Sequence, residues 1–410
     1  MKLLWLCNMA PGVAREKVGA GGLWIDHVLS DLRQRDDLTI RVLFPGNDGR
    51  TGNPDQNFSF ASFRSGLPYV YLPEVETYFS RELAECRPDV IHIWGTEYAH
   101  TLAMVNAAEK AKMLDHLVIS IQGLCSEITK AYADGVPEQI CRRSTLRDFL
   151  REDNIARQQK KFALRGELEV QALRKVRHVI GRTRWDKAVA AKINPDAVYH
   201  LCNETLRDAF YEGNWQYQTC RKHRIFSSSC DYPVKGFHYL LEAFSQVLKK
   251  YPDATLAVPG KGMFANSLRE KLRQDGYRKY LVRLAKKYAL EDNIQFLGRL
   301  DAEQMKKNFL EANIFVLPST IENSPNSLGE AMLLGVPCVA ADVGGVTSML
   351  NPEEGWVYRS PEHLADCIDQ AFSLGQEAEK KGAAAKAHAQ KTHDPKINLE
   401  TLLSIYEQLQ

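Results

Sequence analysis

Residues 317–337 have the sequence LPSTIENSPNSLGEAMLLGVP, which combines an apolar strand, a polar loop and a short helix. The strand is expected to end at Pro318, and the helix to begin at Asn326 or Ser327, because Asn and Ser are favourable N-cap residues. Gly335, with a proline two residues later, is expected to end the helix. The N-terminus of such a helix presents free N–H groups and the positive end of the helix dipole, which suit a phosphate group. The stretch therefore predicts an α/β fold with an anion site after a strand.

Two glutamates accompany the expected start of this helix. Glu322 lies on the loop, and Glu330 is expected in the first helical turn. Glu330 can accept hydrogen bonds from ribose hydroxyls, and Glu322 can accept them from the hydroxyls of a donor sugar. The spacing of these two glutamates alone is weak evidence for a site, because the chain contains 51 aspartates and glutamates. The strand–loop–helix context makes the pair a candidate ligand site.

Short apolar runs alternate with helical patterns on both sides of this stretch. Near-continuous apolar strands separated by amphipathic helices indicate parallel sheets that are covered on both faces. The alternation restarts after the irregular segment 203–223, so the chain divides into two halves. The predicted strands are 2–7, 38–44, 89–93, 117–121, 178–181 and 198–201 in the first half, and 224–228, 254–258, 294–297, 314–317 and 337–340 in the second.

This alternation predicts an α/β protein with two doubly wound Rossmann-like domains that face a central cleft. The expected boundaries are 1–205 for the first domain and 206–390 for the second, with a C-terminal helix in 391–410 that packs back on the first domain. Ligands of doubly wound sheets bind beyond the carboxyl ends of the strands. We therefore expect the ligand site at those strand ends, in the cleft.

The composition is that of an ordinary globular protein, with 410 residues, 44% hydrophobic and 25% charged, and a formal net charge of +2. This balance excludes a disordered or fibrous chain and gives no reason to expect a nucleic-acid partner. Nine scattered cysteines without a C-x-x-C pair favour a reducing, cytoplasmic location and argue against a zinc site. No apolar run is long enough to predict a membrane span.

The segment 142–187 is strongly basic, with 14 lysines and arginines against 6 acidic residues and a local net charge of +8. One interpretation is a long solvated helix with a basic face. The other is a surface that contacts anionic lipid, which would place the protein peripherally at the inner face of the membrane.

The stretch 317–337 resembles the E-x7-E signature of family 4 glycosyltransferases, which are retaining nucleotide-sugar transferases with two Rossmann-like domains, the GT-B fold. Further motifs along most of the chain carry the same resemblance, most strongly between residues 224 and 355. They are the Gly21-Gly22 pair, Val234-Lys235-Gly236, the segment 293–300 (NIQFLGRL) and the segment 341–346 (ADVGGV). These motifs are specific for the fold and the reaction class, and not for the sugar.

The resemblance implies a hexosyltransferase-type enzyme that moves a sugar from a UDP- or GDP-sugar to a hydroxyl of a sugar or lipid-linked acceptor, in cell-surface polysaccharide or glycolipid synthesis. No carboxylate is clearly placed as a nucleophile, so a front-face mechanism is expected, in which the leaving phosphate oxygen deprotonates the acceptor. The chain has no Asp-x-Asp motif, so neither a metal nor another cofactor is expected beside the nucleotide-sugar co-substrate.

By the same resemblance, Lys235 neutralises charge on the donor diphosphate and acts with Glu322 as the catalytic pair. Gly22 lets the backbone approach the phosphates without an intervening Cβ. The other residues implied for donor binding are Glu330, Asn323, Ser324, Pro325, Asn326, Ser327 and Leu328.

Two positions depart from the family pattern. Ser229 stands where the family usually has an arginine six residues before the lysine, so Arg182 or Arg299 is expected to supply the missing charge, while Ser229 donates a neutral hydrogen bond. Gln122 stands where many relatives have a histidine, and it can bind a sugar hydroxyl but cannot act as an acid or base.

Three residues of the first half are expected on the acceptor side, namely His92, Glu97 and Gln122. His92 ends a predicted strand, and the alternative for it is a hydrogen-bonded core histidine. Glu97 keeps a second reaction class open, because a nucleotide-sugar epimerase or hydrolase of the same fold could use it to position water. The departures at Ser229 and Gln122 keep open a third class, a non-catalytic nucleotide-sugar-binding protein.

Overall fold

The computed structural model of the chain describes residues 1–14, 24–265 and 267–410, and these form two compact units. The first unit comprises 1–129, 161–205 and 393–410, and the second comprises 130–160 and 206–392. The chain enters the second unit for the second time after Thr205, where the sequence prediction placed its domain boundary. Residues 130–160, which that prediction assigned to the first domain, belong to the second unit instead.

An eight-stranded sheet forms the centre of the first unit. Its strands are β1 (Lys2–Cys7), β2 (Thr39–Pro45), β3 (Thr51–Asp55), β4 (Phe58–Phe63), β5 (Val90–Trp94), β6 (Leu117–Ser120), β7 (His178–Gly181) and β8 (Val198–Leu201). Their spatial order is β3-β4-β2-β1-β5-β6-β7-β8, and every neighbouring pair is parallel except β3 with β4. The order of the strands reverses between β1 and β5, which is the switch point of this sheet.

A six-stranded parallel sheet forms the centre of the second unit. Its strands are β9 (Arg224–Phe226), β10 (Thr255–Val258), β11 (Ile294–Phe296), β12 (Ile314–Leu317), β13 (Cys338–Ala341) and β14 (Trp356–Tyr358). They lie in the order β11-β10-β9-β12-β13-β14, which is the Rossmann order 3-2-1-4-5-6. The switch point of this sheet lies between β9 and β12.

Sixteen α-helices are formed by the described residues, and most of them pack on the faces of the two sheets. They are α1 (Trp24–Arg33), α2 (Pro73–Cys86), α3 (Ala99–Lys110), α4 (Cys125–Ala131), α5 (Glu138–Arg142), α6 (Leu146–Arg151), α7 (Ile155–Lys175), α8 (Arg184–Ile193), α9 (Phe237–Lys250), α10 (Leu268–Arg273), α11 (Gly276–Lys287), α12 (Ala302–Glu311), α13 (Asn326–Leu333), α14 (Leu364–Ser373), α15 (Ala378–Thr392) and α16 (Pro395–Gln408).

Strand β1 shows why the first sheet is covered on both faces. Leu4 and Leu6 join a cluster with side chains of α2 and α3, whereas Leu3 and Trp5 join a separate cluster with side chains of α1 and α16. Successive side chains of a strand point to opposite faces, so a strand between two helical layers must be apolar at every position. The continuous apolar run of β1 is the consequence.

The segment 130–160 joins the second unit through a buried aspartate. Asp148 of α6 is fully buried, and its Oδ2 accepts a hydrogen bond from the backbone N–H of Gly276 at 2.8 Å, at the start of α11. Its other partners lie within its own segment, Thr145 through a capping box and Arg147 through an ion pair. A carboxylate at the N-terminus of a helix is stabilised by the free N–H groups and the helix dipole. The apolar periodicity of the sequence does not predict a contact of this kind.

The predicted α/β class with two Rossmann-like sheets is confirmed, and all eleven predicted strands are present with ends that differ by no more than two residues. The prediction omitted β3, β4 and β14. Strand β3 has the sequence TGNPD, is largely exposed and pairs antiparallel at the sheet edge, so it lacks the apolar run of a buried strand. Asp301 and Gln304 form a capping box at the start of α12.

Candidate functional site

The loops that follow β9 and β12 meet at the switch point of the second sheet. The backbone N–H of Thr320, after β12, donates to the carbonyl oxygen of Val234, after β9, at 2.9 Å. Gly236 has a positive φ of 63°, and a Cβ at this position would overlap the carbonyl oxygen of Pro318. A glycine is therefore required here, because it lets the lysine-bearing loop approach the glutamate-bearing loop.

Lys235 and Glu322 form an ion pair on these two loops. Lys235 Nζ lies 2.6 Å from Glu322 Oε1, which also accepts a hydrogen bond from Ser319 Oγ at 2.8 Å. The lysine side chain is 34% exposed and the glutamate side chain 13%, so the pair is accessible from solvent rather than sealed in the core. The structure thus brings together the two residues that the family resemblance implied as catalytic.

The backbone of Glu322 is held by the glycine pair of the segment 341–346. Gly345 N–H donates to the carbonyl oxygen of Glu322 at 3.0 Å. Gly344 has a φ of 52°, and a Cβ on it would overlap that same carbonyl oxygen. The two glycines after β13 therefore fix the loop that carries Glu322, which gives this motif a physical role.

Helix α13 begins at Asn326, but its N-cap differs from the prediction. The N-cap residue is Pro325, which makes no side-chain capping hydrogen bond, whereas Asn or Ser was expected there. Ser327 Oγ is engaged elsewhere, since it accepts a hydrogen bond from Ser228 Oγ after β9 at 3.1 Å. With the helix starting at Asn326, Glu330 falls in the second turn, so the prediction of a first-turn position is wrong.

Glu330 is buried and is held by an arginine that the sequence did not reveal. Arg207 donates from Nε to Glu330 Oε1 at 2.7 Å and from Nη2 to Oε2 at 2.8 Å, a bidentate pair. Burial raises the pKa of Glu330, and the hydrogen bonds and charge of Arg207 oppose that rise. Arg207 stands in the irregular segment 203–223, where no periodicity or motif connects it to residue 330.

The other residues predicted on the donor side differ in their exposure and contacts. Asn323 and Leu328 are buried, and Ser324 Oγ contacts Met349 Sδ at 3.5 Å. Ser229 lies half-buried after β9. Arg299 is exposed beyond β11, the edge strand, which β10 separates from β9. Gly22 lies outside the described residues.

Arg182 is part of a buried network in the first unit. Its Nη1 lies 2.6 Å from Glu204 Oε2, and its Nη2 donates to the carbonyl oxygen of Ile121 at 3.0 Å. Gln122 Nε2 donates to Glu204 Oε1 at 2.7 Å. The Arg182 side chain is only 5% exposed, so it is far less accessible to a diphosphate than Lys235, and its role at the donor stays a prediction.

His92 is a core residue. Its Nδ1 and Tyr406 Oη are hydrogen-bonded at 2.6 Å, and its Nε2 and Ser120 Oγ at 2.7 Å. The side chain is fully buried, and burial lowers the pKa of His92 well below its usual range. The expectation of an acceptor-side histidine is therefore corrected in favour of the alternative, a histidine whose two nitrogens are satisfied by hydroxyl groups.

Glu97 lies at the switch point of the first sheet, after β5. Its Oε1 accepts from the backbone N–H of Gly123 at 3.0 Å, and its Oε2 accepts from Asn8 Nδ2 at 3.3 Å. Asn8 Oδ1 is in turn hydrogen-bonded to His100 Nε2 at 2.9 Å. A Cβ on Gly95 would overlap both Glu97 and Asn8, so the glycine makes room for the pair.

The surroundings of Glu97 raise the pKa of its carboxyl group. Burial raises its pKa to about 7, and the neighbouring carboxylate of Glu169 adds to the rise, whereas Arg165 and the N–H of Gly123 oppose it. A carboxyl group with a pKa near neutrality can serve as an acid or a base at neutral pH. The sequence placed Glu97 and His100 on one loop, but Asn8 escaped the prediction of this site, because only the sheet order brings β1 beside β5.

The described residues contain neither a metal-binding cluster nor a membrane-spanning helix. Within 1–14, 24–265 and 267–410, no group of three His, Cys, Asp or Glu side chains is placed to hold a metal ion. Among the helices of that same part of the chain, none combines the length and the apolar character needed to cross a membrane.

Residues 221–388, which contain the pair Lys235–Glu322 and Glu330, match the family model of glycosyl transferases group 1. The matched residues lie within the second unit, and residues 1–220 and 389–410 lie outside the match.

Two curated relatives are similar to part of the chain. A GDP-mannose-dependent monoacylated alpha-(1-6)-phosphatidylinositol monomannoside mannosyltransferase of Corynebacterium glutamicum is 28% identical over 184 residues, which are 43% of this chain and 44% of the relative. The sulfoquinovosyl transferase SQD2 of Arabidopsis thaliana is 26% identical over 161 residues, which are 38% of this chain and 28% of the relative. The chain thus spans less than half the length of these relatives.

Two solved structures share the fold over the full chain. Sucrose-phosphate synthase from Thermosynechococcus elongatus superposes with a TM-score of 0.70 at 15% identity, covering 100% of this chain and 98% of the other. Anabaena HepE in complex with UDP-glucose superposes with a TM-score of 0.68 at 17% identity, covering 99% and 100%. At these identities the likeness shows the GT-B fold alone.

Proposed function

We propose that this chain is a retaining glycosyltransferase that moves a hexose-type sugar from a nucleoside-diphosphate sugar to a hydroxyl of an acceptor, without a metal ion. The observation that carries the proposal is the ion pair of Lys235 with Glu322, placed at the switch point of the second sheet beside the buried Glu330. Ligands of doubly wound sheets bind at that point. The match to glycosyl transferases group 1 over residues 221–388 supports the same reaction class.

Lys235 is the residue that meets the donor diphosphate. Its side chain is one-third exposed, so the ammonium group can contact a phosphate oxygen. The diphosphate gains negative charge as it leaves, and a fixed cation lowers the energy of that transition state. Glu322, whose backbone is fixed by Gly344 and Gly345, accepts hydrogen bonds from the hydroxyls of the transferred sugar.

Glu330 is assigned to the ribose of the donor. Both of its oxygens are oriented by Arg207, and each retains a lone pair that can accept a hydroxyl hydrogen bond. The loop and helix start that precede Glu330 are also assigned to donor binding. Their residues are Asn323, Ser324, Pro325, Asn326, Ser327 and Leu328. Ser229 adds a neutral hydroxyl on the neighbouring loop.

The transfer step balances without a further reactant. The bond between the anomeric carbon and the diphosphate oxygen breaks, and a bond from the acceptor oxygen to the anomeric carbon forms on the same face. The acceptor proton passes to the leaving phosphate oxygen, so the products are the glycoside and the nucleoside diphosphate. The protein's contribution is to orient the reactants and to stabilise the charge of the diphosphate.

The acceptor is assigned to the first unit, at Glu97 and Gln122. Glu97 is held by two donors and lies at the switch point of the first sheet, where a sugar hydroxyl can reach its remaining lone pairs. A role in polysaccharide or glycolipid synthesis with a sugar or lipid-linked acceptor is supported by the glycolipid named as the substrate of the Corynebacterium relative.

A thermal-shift screen of the full chain with UDP-, GDP- and ADP-sugars tests the proposal. A bound donor raises the apparent melting temperature by mass action, and the screen also identifies the base and the sugar. Product should then form only when a sugar acceptor is added. If no nucleotide sugar shifts the melting temperature at millimolar concentration, the proposal is wrong.

A hydrolase or epimerase is the second candidate, and Glu97 is the observation that favours it. Its pKa of about 7 suits a group that activates water. The two candidates differ in their need for an acceptor. Turnover of the donor without an acceptor, abolished by Glu97→Gln, would establish the hydrolase. Acceptor-dependent product, with the donor stable alone, would establish the transferase. Donor binding with no turnover in either assay would identify a non-catalytic binding protein.

A further inference from the structure

Two short helices of the second unit expose large apolar side chains. On α6, Leu146, Phe149 and Leu150 are 54%, 71% and 72% exposed, and on α10, Leu268 and Leu272 are 73% and 47% exposed. Residues three and four apart lie on the same face of a helix. Each helix therefore presents an apolar stripe to solvent, which is the reverse of the usual arrangement for a surface helix.

The outward orientation of α6 is fixed by its polar residues. Asp148, the residue between the exposed positions, is fully buried and binds the backbone N–H groups of Gly276 and Thr145. Thr145 closes a capping box with it. Because the aspartate anchors one face of this six-residue helix, the opposite face with Phe149 and Leu150 must point away from the unit.

A groove of about 620 Å³ lies beside these helices. Apolar side chains of α5, α6, α10 and α11 line it, and its basic lining residues are Arg143, Lys271, Lys279 and Arg283. No acidic side chain is among the lining residues, and none of these four basic residues forms an ion pair with another described residue. The groove thus combines an apolar floor with uncompensated positive charge.

The two stretches that build this surface, 142–151 and 268–283, carry ten lysines and arginines against three acidic residues, a net charge of +7. Three of these arginines, Arg142, Arg147 and Arg278, are ion-paired with carboxylates outside the two stretches, which leaves a net charge of +4. A second copy of the chain is a poor occupant, because a two-fold interface would place the same positive patches against each other. Anionic lipid headgroups complement the charge, and the region just below them accepts exposed Phe and Leu side chains.

We infer that α6, α10 and the groove beside them form a surface that docks on an anionic phospholipid bilayer, with Leu146, Phe149, Leu150 and Leu268 inserted below the headgroups. Of the basic segment 142–187, only the first part, 142–151, contributes to this surface. The remainder of the surface comes from α10 and α11, which the charge pattern of the sequence did not single out. The inference is independent of the proposed transfer reaction.

Co-sedimentation of the full chain with vesicles tests this surface. The parent chain should bind vesicles of mixed phosphatidylglycerol and phosphatidylcholine, and should not bind vesicles of phosphatidylcholine alone. Binding should weaken as salt rises from about 0.1 M to about 1 M, because the Debye length falls from about 10 Å to about 3 Å. The double variant Phe149→Ser, Leu150→Ser should bind at least about tenfold more weakly.

The matched control is the double variant Val198→Ser, Leu201→Ser, which removes two exposed apolar side chains from β8 of the first unit and should bind like the parent. Arg143→Glu with Lys279→Glu tests the charge without altering the apolar stripe, and should also weaken binding. Equal binding by the parent and the α6 variant, equal loss in the β8 control, or no binding by the parent would overturn the inference. A donor-induced thermal shift retained in all variants would show that the failure concerns this surface and not the proposed function.

Discussion

Arg207 and Glu330 lie 123 residues apart and form a bidentate ion pair, with Nε–Oε1 and Nη2–Oε2 distances of 2.7 and 2.8 Å. Arg207 lies at the start of 206–392, where the chain enters the second unit for the second time. Glu330 lies on α13, which follows β12 at the switch point of the second sheet. The pairing fixes the direction of a buried carboxylate before any ligand arrives. Glu330 is therefore oriented by a residue outside the stretch 317–337.

Substituting Arg207 should destabilise the second unit. Arg207→Ala leaves the Glu330 carboxylate buried without its counter-charge, and removing one partner of such a pair costs about 3 kcal/mol. Chemical denaturation measures the loss. The double variant Arg207→Ala, Glu330→Gln should recover part of it, since the unpaired charge is gone. A double variant less stable than Arg207→Ala would contradict this account of the pair.

Lys235→Ala should lower turnover far more than donor affinity. The lysine is assigned to the charge that develops on the leaving diphosphate, so its removal should reduce the turnover rate by about 10²–10³-fold. Donor affinity, measured by calorimetry, should fall by less than about tenfold. Lys249→Ala, an exposed lysine of α9 in the same unit, is the control and should change neither quantity. Equal losses in rate and affinity would assign Lys235 to binding alone.

Gly344→Ala should damage the site more than an equally strained glycine elsewhere. Gly344 and Gly298 both have positive φ, 52° and 71°, so alanine adds about 1 kcal/mol of backbone strain at either position. Only at Gly344 would the new Cβ also overlap the carbonyl oxygen of Glu322, whereas nothing lies within 4 Å at Gly298. We expect Gly344→Ala to lose about 2 kcal/mol more stability than Gly298→Ala, and donor affinity with it. Similar losses in the two variants would show that the contact with Glu322 does not matter.

His238 should make the second unit sensitive to acid. It is buried between Tyr277 Oη and the carbonyl oxygen of Asp134, and burial lowers its pKa to about 4. The unfolded chain binds the proton near pH 6.5, so this stability is present above pH 6.5 and is lost as the pH falls toward 4. At pH 5 the loss is about 2 kcal/mol. His238→Gln should flatten the fall in unfolding free energy between pH 7 and pH 5 by that amount, and an unchanged slope would contradict the assignment.

Local patterns predicted eleven of the fourteen described strands and the position of α13, because buried parallel strands must be apolar at every position. Lys235 was singled out by the family resemblance, and its ion pair with Glu322 was not predicted. Arg207 could not be predicted, because its contact with Glu330 depends on the path of an irregular segment. The core position of His92 was hidden for a related reason, since its partner Tyr406 is 314 residues away in sequence. The position of a residue after a predicted strand shows where it lies in the sheet, but it does not show which side chains it contacts.

Calorimetric titration of a nucleotide sugar tests the central claim most directly, with the parent chain compared with Glu322→Gln and Glu97→Gln. The two substitutions make the same chemical change in different units. If the donor is held at the switch point of the second sheet, Glu322→Gln should lower affinity about tenfold or more, and Glu97→Gln should leave it within about twofold of the parent. Affinity unchanged in Glu322→Gln but lost in Glu97→Gln would place the donor in the first unit and contradict the account.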